Sequence, residues 1–479
     1  MVLAASGATL DIHLIAIGGT GMAPLACLLR ELGHQVRGSD GPLYSPTSDI
    51  LADAGIEPLV GYDRAHLEPR PDLVIVGNAV PRTNPEAVAT EELGLPRLSM
   101  PEALDRFVLR DRRPLVVAGS HGKTTTTAMA AWVYSRAGAD PGYLIGGAPI
   151  GLASGFALGG GSRFAIEGDE YNASYFDRGP KFWHYRPETV ILTSLEHDHV
   201  DLYPDFEGLK RVFLDLVERL PPTGLLVACA DYPTVERLLP ASPCRVVTYG
   251  AGAGDIRLEG PVESSERGIS FELEEEGRRQ PVDLGVWGEH NALNAMAVWA
   301  AARADGLERD AVLEALATFR GVKRRLEVIG EAAGMIVIDD FAHHASEVAA
   351  SLAALRQRFP GRRLVALFEP RSLSAGRLQF AADLAASLAS ADRVFLAPVF
   401  HRERLGEEGF DPEEVAAEIE RLGAAATACS SNDELAAAVL GEARPGDVLV
   451  TMSSGSFDGM PRRLQMALQD LLVGKRGQP

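Results

Sequence analysis

Cysteine is scarce in this 479-residue chain: Cys27, Cys229, Cys244 and Cys429 stand alone, with no CxxC spacing. That excludes a disulfide framework and leaves buried thiols in a reducing compartment. Aromatic residues make up only 6% of a chain that is 46% hydrophobic, the balance of an ordinary globular protein. No apolar run approaches the ~20 residues needed to cross a membrane. The first ten residues lack the basic start and apolar stretch of a signal peptide. Positive charge is also short, with 46 Lys and Arg against 66 Asp and Glu and a net charge of −20. Nothing basic covers a large face, so nucleic-acid and anionic-membrane partners are excluded. An anionic ligand must instead be met by local Arg, Lys and backbone donors. The expectation is a cytoplasmic protein, monomeric or weakly dimeric.

The length fits about three domains. Residues 12–17 read as a strand, followed by Gly18, Gly19, Thr20 and Gly21, then a helix over 22–32. A second strand leads into Gly38-Ser39-Asp40, and a third over 72–76 ends at Gly77-Asn78. This is the opening of a doubly wound parallel sheet. Arginines at 110, 112 and 113 mark a boundary, giving an N-terminal domain over 1–110. A central domain over 111–322 carries strands at 164–166 and 190–195. Its alternating, charged stretch 255–284 predicts antiparallel strands at a sheet edge. The remainder, 323–479, repeats the strand–helix alternation, with strands at 335–338, 364–368, 394–397 and 448–452. The fold class expected is α/β throughout: Rossmann-like, then phosphate-loop ATPase-like, then Rossmann-like.

The stretch Gly119-Ser120-His121-Gly122-Lys123-Thr124-Thr125 follows an apolar strand and opens a helix running to about 137. Backbone N–H groups of such a turn converge on phosphate oxygens, and the helix dipole adds positive potential. Lys123 would reach the terminal phosphates of ATP and Thr124 would bind Mg²⁺. The turn is tight: Val117 stands where the usual spacing has its first glycine.

Three further clusters each follow a strand. Glu167 precedes Asp169 and Glu170, and a carboxylate there suits a nucleotide-bound Mg²⁺. Glu196-His197-Asp198-His199 admits a Mg²⁺ site, a zinc site lacking its cysteines, or histidines that cap a turn. Asp339-Asp340 leads into His343-His344, and Ser346 is placed to cap the following helix. In the N-terminal loop, Gly19 and Gly21 fit a dinucleotide fingerprint, but Pro24 occupies the third glycine's place. With Asp40 at the end of the second strand, that loop reads as a diphosphate site. A nicotinamide-dependent dehydrogenase and a non-enzymatic ATP-binding regulator stay open on these motifs alone.

In order and over nearly the whole chain, these motifs resemble the Mur ligase family, whose phosphate loop shares the tight spacing. The resemblance implies three domains, for a UDP-muramyl donor, ATP and an amino-acid or peptide acceptor. It implies Lys123, Glu167, His199 and Arg324 as catalytic residues. Glu167 and His199 match the family's Mg²⁺ ligands, beside Thr124. It also implies His290, Asn291 and Asn294 near adenine, with Arg324, Arg325 and Asp340 as the hinge and C-terminal residues that close over ATP. The donor would lie on Gly18, Gly19, Thr20, Gly21, Met22, Ser39, Asp40 and Asn78, and the acceptor near His343, Arg371 and Ser372. The segments 169–177, Lys181-Phe182-Trp183-His184-Tyr185-Arg186-Pro187 and Glu369-Pro370-Arg371-Ser372 resemble the branch that joins UDP-N-acetylmuramate to the tripeptide L-Ala-γ-D-Glu-meso-diaminopimelate. Addition of L-alanine is the alternative. Phe213 and Leu214 stand where several members carry a carbamylated lysine, so no such group is expected.

Overall fold

The computed structural model describes residues 8–197, 200 and 202–476. It contains three sheets, one for each of three α/β domains. The N-terminal sheet has five parallel strands in the order Leu59–Val60, Gln35–Asp40, Asp11–Ile15, Leu73–Val76 and Arg97–Ser99. Leu73–Val76 is buried along its whole length, as a strand covered by helices on both faces must be. The order reverses between Asp11–Ile15 and Leu73–Val76, so a crevice opens at their carboxyl ends, where residues 18–22 and Asn78 lie.

The central sheet has ten strands. Arg113–Ala118, which leads into the phosphate loop, lies between Thr189–Leu192 and Arg163–Gly168. The parallel register pairs Ala118 with both Leu192 and Gly168. Three chains therefore leave the sheet at one level, and residues 119–122, 193–196 and 167–170 gather at one edge. Ile256–Ser265, Gly268–Glu275 and Arg278–Leu284 form the expected antiparallel strands at the far side. The C-terminal sheet runs Glu327–Ala332, Met335–Asp340, Val448–Met452, Leu364–Phe368, Arg393–Leu396 and Ala425–Ala428. Its first strand is antiparallel and was not expected from the sequence. It forms a hairpin through Ala333 and Gly334, both at positive φ, the backbone of a two-residue turn. Among the described residues no helix is long and apolar enough to cross a membrane.

Ser39, expected at the donor, has its side chain fully buried and bonded to Glu86 Oε2 at 2.5 Å. Glu86, itself fully buried, also meets His13 Nε2 at 2.9 Å, His66 Nδ1 at 2.8 Å and the Asp63 N–H at 3.1 Å. Burial alone would raise this carboxyl's pKa, but the bonds from His13, Ser39 and His66 outweigh it and hold the group below its ordinary value. Its stabilising contribution is therefore present above the unfolded carboxyl pKa of about 4.3 and lost as pH falls through the lower folded value. Glu86→Ala, which leaves the two histidines without their acceptor, is expected to destabilise the N-terminal domain by about 3 kcal/mol, read as an earlier urea transition.

Candidate active site

The phosphate loop has one conformation because its backbone is tied on both sides. Gly119 and Gly122 have φ of +135° and +80°. A Cβ on Gly119 would lie 2.3 Å from Thr193 Oγ1, so only glycine fits. The Ser120 N–H donates to the Ser194 carbonyl (3.2 Å), and the His121 N–H to Ser194 Oγ (2.9 Å). Gly122 caps the helix Lys123–Arg136. Lys123 Nζ donates to the carbonyls of Gly119 (2.6 Å) and Ser120 (3.4 Å) and lies 3.3 Å from Glu170 Oε1. Its ammonium is thus held over the loop where phosphates would replace those carbonyls.

Thr124 Oγ1 donates to Glu167 Oε2 at 2.9 Å, and the Gly146 N–H to Glu167 Oε1 at 2.6 Å. Burial raises the pKa of Glu167 despite these donors. The Glu167 carboxylate and the Thr124 hydroxyl, 2.9 Å apart, offer two of the oxygen donors that a hard divalent cation prefers. His199 lies outside the described residues. His197 bonds the Tyr203 carbonyl at 3.1 Å and lines a neighbouring cleft. Phe213 is buried in the core, its ring 5.8 Å from that of Phe182.

Two cavities meet at the loop. One of about 130 Å³ is lined by Gly122, Thr125, His290, Asn291, Asn294, Arg325 and Asp340, all assigned to ATP from the sequence. The side chains of Asn291 and Asn294 are linked at 3.1 Å. Burial, with Arg325 adding to it, lowers His290 to about 4, so its ring is neutral. Cys229, Tyr232 and Tyr249 also line this cavity. Sequence reasoning missed them, although they follow or end the strands Leu225–Cys229 and Arg245–Gly250 at the same sheet edge. The second cavity, of about 370 Å³, joins Thr20 and Gly21 of the N-terminal domain to Ser120, Lys123, Thr124 and Glu167, and to His343 and Ser372 of the C-terminal domain. Gly18 and Asp40 hold each other, N–H to Oδ2, at 2.8 Å. Gly19 precedes the helix Met22–Glu31, in which Met22 is buried, and Asn78 is exposed beyond the neighbouring strand.

The assigned side chains of the C-terminal domain bond partly within it and partly across to the central domain. Arg324 Nη2 donates to the carbonyls of Ser453 (2.7 Å) and Gly455, and Nε lies 3.3 Å from Asp339. Arg324, next to Lys323 whose N–H donates to the Ala148 carbonyl of the central domain at 2.9 Å, is thus tied into the C-terminal domain. Asp340, buried, accepts from the N–H groups of Leu326 and Ala342 at 2.6 and 2.9 Å. Arg371 is stacked 3.7 Å above the Phe400 ring, beside Ser372. Ser346 does not cap its helix, Ala345–Arg358, whose cap position is His344. Its hydroxyl donates to Glu196 of the central domain at 2.7 Å and lies 3.0 Å from His121 Nε2. His121 itself meets Glu196 at 3.0 Å and, on its other nitrogen, Glu347 at 3.3 Å. The phosphate-loop histidine thus clasps the C-terminal domain.

Three family models match in series: "Mur ligase family, catalytic domain" over residues 11–112, "Mur ligase middle domain" over 117–302 and "Mur ligase, glutamate ligase domain" over 324–455. The UDP-N-acetylmuramate–L-alanyl-γ-D-glutamyl-meso-2,6-diaminoheptandioate ligase of Escherichia coli K12 is 39% identical over 95% of this chain and 97% of its own length. The UDP-N-acetylmuramate–L-alanine ligase of Kineococcus radiotolerans is 40% identical over 93% of each chain. Among solved structures, a murein peptide ligase from Psychrobacter arcticus has a TM-score of 0.71 at 34% identity, covering 96% of this chain and 99% of that one. The UDP-N-acetylmuramate–alanine ligase of Thermotoga maritima has a TM-score of 0.80 at 26% identity, with the same coverage.

Burial opposes a charge on His121, but its bonds to Glu196 and Glu347 dominate and raise its pKa to about 10. A raised pKa stabilises the protonated form, so the clasp is at full strength below the unfolded value of about 6.5 and is lost as pH rises through about 10. Small-angle scattering should show the C-terminal domain loosening above that pH in the native chain, and already at neutral pH in His121→Ala.

Proposed function

Because the chain belongs to the Mur ligase family, we propose that it is an ATP-dependent, ADP-forming ligase that joins UDP-N-acetylmuramate to L-Ala-γ-D-Glu-meso-diaminopimelate. The observation that carries this reading is the single cavity in which the N-terminal glycine loop, the phosphate loop and Ser372 converge. The relatives that bear the tripeptide-ligase name, at 39% and 35% identity, favour the tripeptide as acceptor. The alanine-ligase relatives keep L-alanine as the second reading. The product class belongs to the recycling of cell-wall peptides in the cytoplasm. Domain limits at 110/111 and 322/323 fit this division of labour.

A carboxylate does not condense with an amine at neutral pH until one oxygen becomes a leaving group. In the first step a carboxylate oxygen of the donor attacks the γ-phosphorus. The bond to the β–γ bridging oxygen breaks, and ADP leaves with the electron pair. In the second, the acceptor amine attacks the acyl carbon, loses a proton, and phosphate departs. Lys123 and the loop N–H groups hold the phosphates. Thr124 and Glu167, two oxygen donors 2.9 Å apart, fit Mg²⁺, which when bound would screen the phosphate charge. His290, Asn291 and Asn294 would orient the base, and Arg325 with Asp340 would fix the C-terminal domain against it. Arg371 offers a planar guanidinium for an acceptor carboxylate. Closure through the hinge at 323–326 excludes the water that would hydrolyse the acyl phosphate.

The first experiment is phosphate release with ATP, Mg²⁺ and UDP-N-acetylmuramate, comparing tripeptide with L-alanine. Release with tripeptide, and a product heavier by the peptide less one water, is expected. Release with L-alanine alone would move the chain to the other branch. Lys123→Ala should abolish release with the fold intact by circular dichroism. Arg371→Ala should raise the KM for tripeptide far more than that for ATP, and equal effects would remove Arg371 from the acceptor site.

A further inference from the structure

The cavity that joins the three domains contains a second lysine, Lys181, which the phosphate-loop chemistry leaves without a task. Its position is built rather than incidental. The segment from Asp169 folds back on itself: Ala173 N–H donates to the Gly179 carbonyl at 3.0 Å, and Lys181 N–H to the Tyr171 carbonyl at 3.1 Å. Lys181 then opens the short turn Lys181–His184, which the buried Phe182 anchors in the core. The ammonium lies 2.6 Å from Asp169 Oδ2 and 5.9 Å from the centre of the Tyr171 ring, with the side chain 17% exposed. The adjacent residue, Glu170, is the one that meets Lys123. One acidic dipeptide therefore holds two lysines in a single cavity, and the first of them is the phosphate lysine.

The wall around Lys181 belongs to the donor side. Tyr171, Tyr185 and Met100 line the same cavity, together with Thr20 and Gly21 of the N-terminal glycine loop. Met100 Cε presses on that loop so closely that a Cβ on Gly21 would lie 2.6 Å from it. A ligand anchored on the glycine loop and reaching across the shared cavity would bring its far end to both Lys181 and the phosphates at Lys123. That end is an anion facing a polyanion, and their repulsion must be screened before an oxygen can approach phosphorus.

We propose that Lys181 binds the lactyl carboxylate of the UDP-N-acetylmuramate donor and orients it toward the γ-phosphate, a role that rests on the ligase reading above. Lys181 acts by charge alone and forms no covalent bond. It pairs first with the carboxylate and then with the acyl phosphate that forms when the β–γ bridging P–O bond breaks and ADP leaves. Asp169 fixes the ammonium while the site is free.

The test is donor binding by calorimetry to the full-length protein, with UDP-N-acetylglucosamine, which lacks the lactyl carboxylate, as the paired probe. Lys181→Met should weaken UDP-N-acetylmuramate binding about 10- to 100-fold, the range of one charge-assisted hydrogen bond, and leave UDP-N-acetylglucosamine and ATP binding unchanged. Lys181→Arg, which keeps the charge, should recover part of the loss. Parallel weakening of both sugar nucleotides, or a rise confined to the tripeptide KM, would overturn the assignment. Equal binding of UDP-N-acetylmuramate to Lys181→Met and the native chain would overturn it alone. Absence of any UDP-N-acetylmuramate binding to the native chain would overturn the ligase reading as well.

Discussion

The active site depends on the register of three parallel strands in the central sheet. Because Ala118 pairs with both Leu192 and Gly168, the phosphate loop, residues 193–196 and the acidic segment from Glu167 leave the sheet at the same height. A register slip of one residue would turn Glu167 to the other face and take its carboxylate from Thr124. The loop has little internal freedom of its own. Ser194 accepts from the Ser120 N–H and, through its hydroxyl, from the His121 N–H, so the neighbouring strand's exit fixes the curve in which phosphates would lie. The sheet therefore does the positioning, and the loop inherits it.

A protein with a net charge of −20 that handles phosphates and carboxylates must concentrate its cations and keep them in place. Here each cation of the central cavity stands near a carboxylate: Lys123 with Glu170, Lys181 with Asp169, and Arg325 3.8 Å from Glu347. These partners keep buried charges from standing alone, since an unpaired buried cation costs several kcal/mol. They also mean that an incoming anion exchanges with a carboxylate or a carbonyl rather than with bulk water, so less reorganisation accompanies binding.

Much of this was legible in the sequence because glycine, lysine and threonine in a loop between strand and helix have one dominant use. The strands at 364–368 and 448–452 coincide with those observed, since buried parallel strands read as uninterrupted apolar runs. The hairpin strand Glu327–Ala332 was hidden: its turn uses Ala333 at positive φ, where a sequence reading looks for Asn or Gly, and most of its residues are polar or half-buried. The bonding partners of Ser39, Arg324 and Ser346 were illegible for another reason. Each bonds to a residue more than 40 positions away, and only the folded chain brings Glu86, Ser453 or Glu196 within reach. Motifs report the loop a residue sits on, whereas the direction of its side chain is decided by partners distant in sequence, which for Ser346 lie in the neighbouring domain.

The backbone at 323–326, where the chain crosses from the central to the C-terminal domain, is itself specified. Arg324 and Leu326 have φ of 60° and 52°, left-handed values that cost a non-glycine residue roughly 1 kcal/mol or more each. Such a backbone persists only where its surroundings over-determine it. Here Glu327 accepts from the Arg324 N–H at 2.8 Å, Asp340 accepts from that of Leu326, and the carbonyls of Ser453 and Gly455 take the guanidinium. Asp340 also lines the cavity assigned to ATP, and His121 ties the phosphate loop to the next helix through Glu347. Arg325, Leu326 and Asp340 of the crossing and His121 and Glu347 of the clasp line one cavity, and the clasp is made of charged hydrogen bonds. Polar junctions of this kind can open without exposing a hydrophobic face to water. An enzyme that must admit three ligands and then exclude water from an acyl phosphate needs a junction with that property.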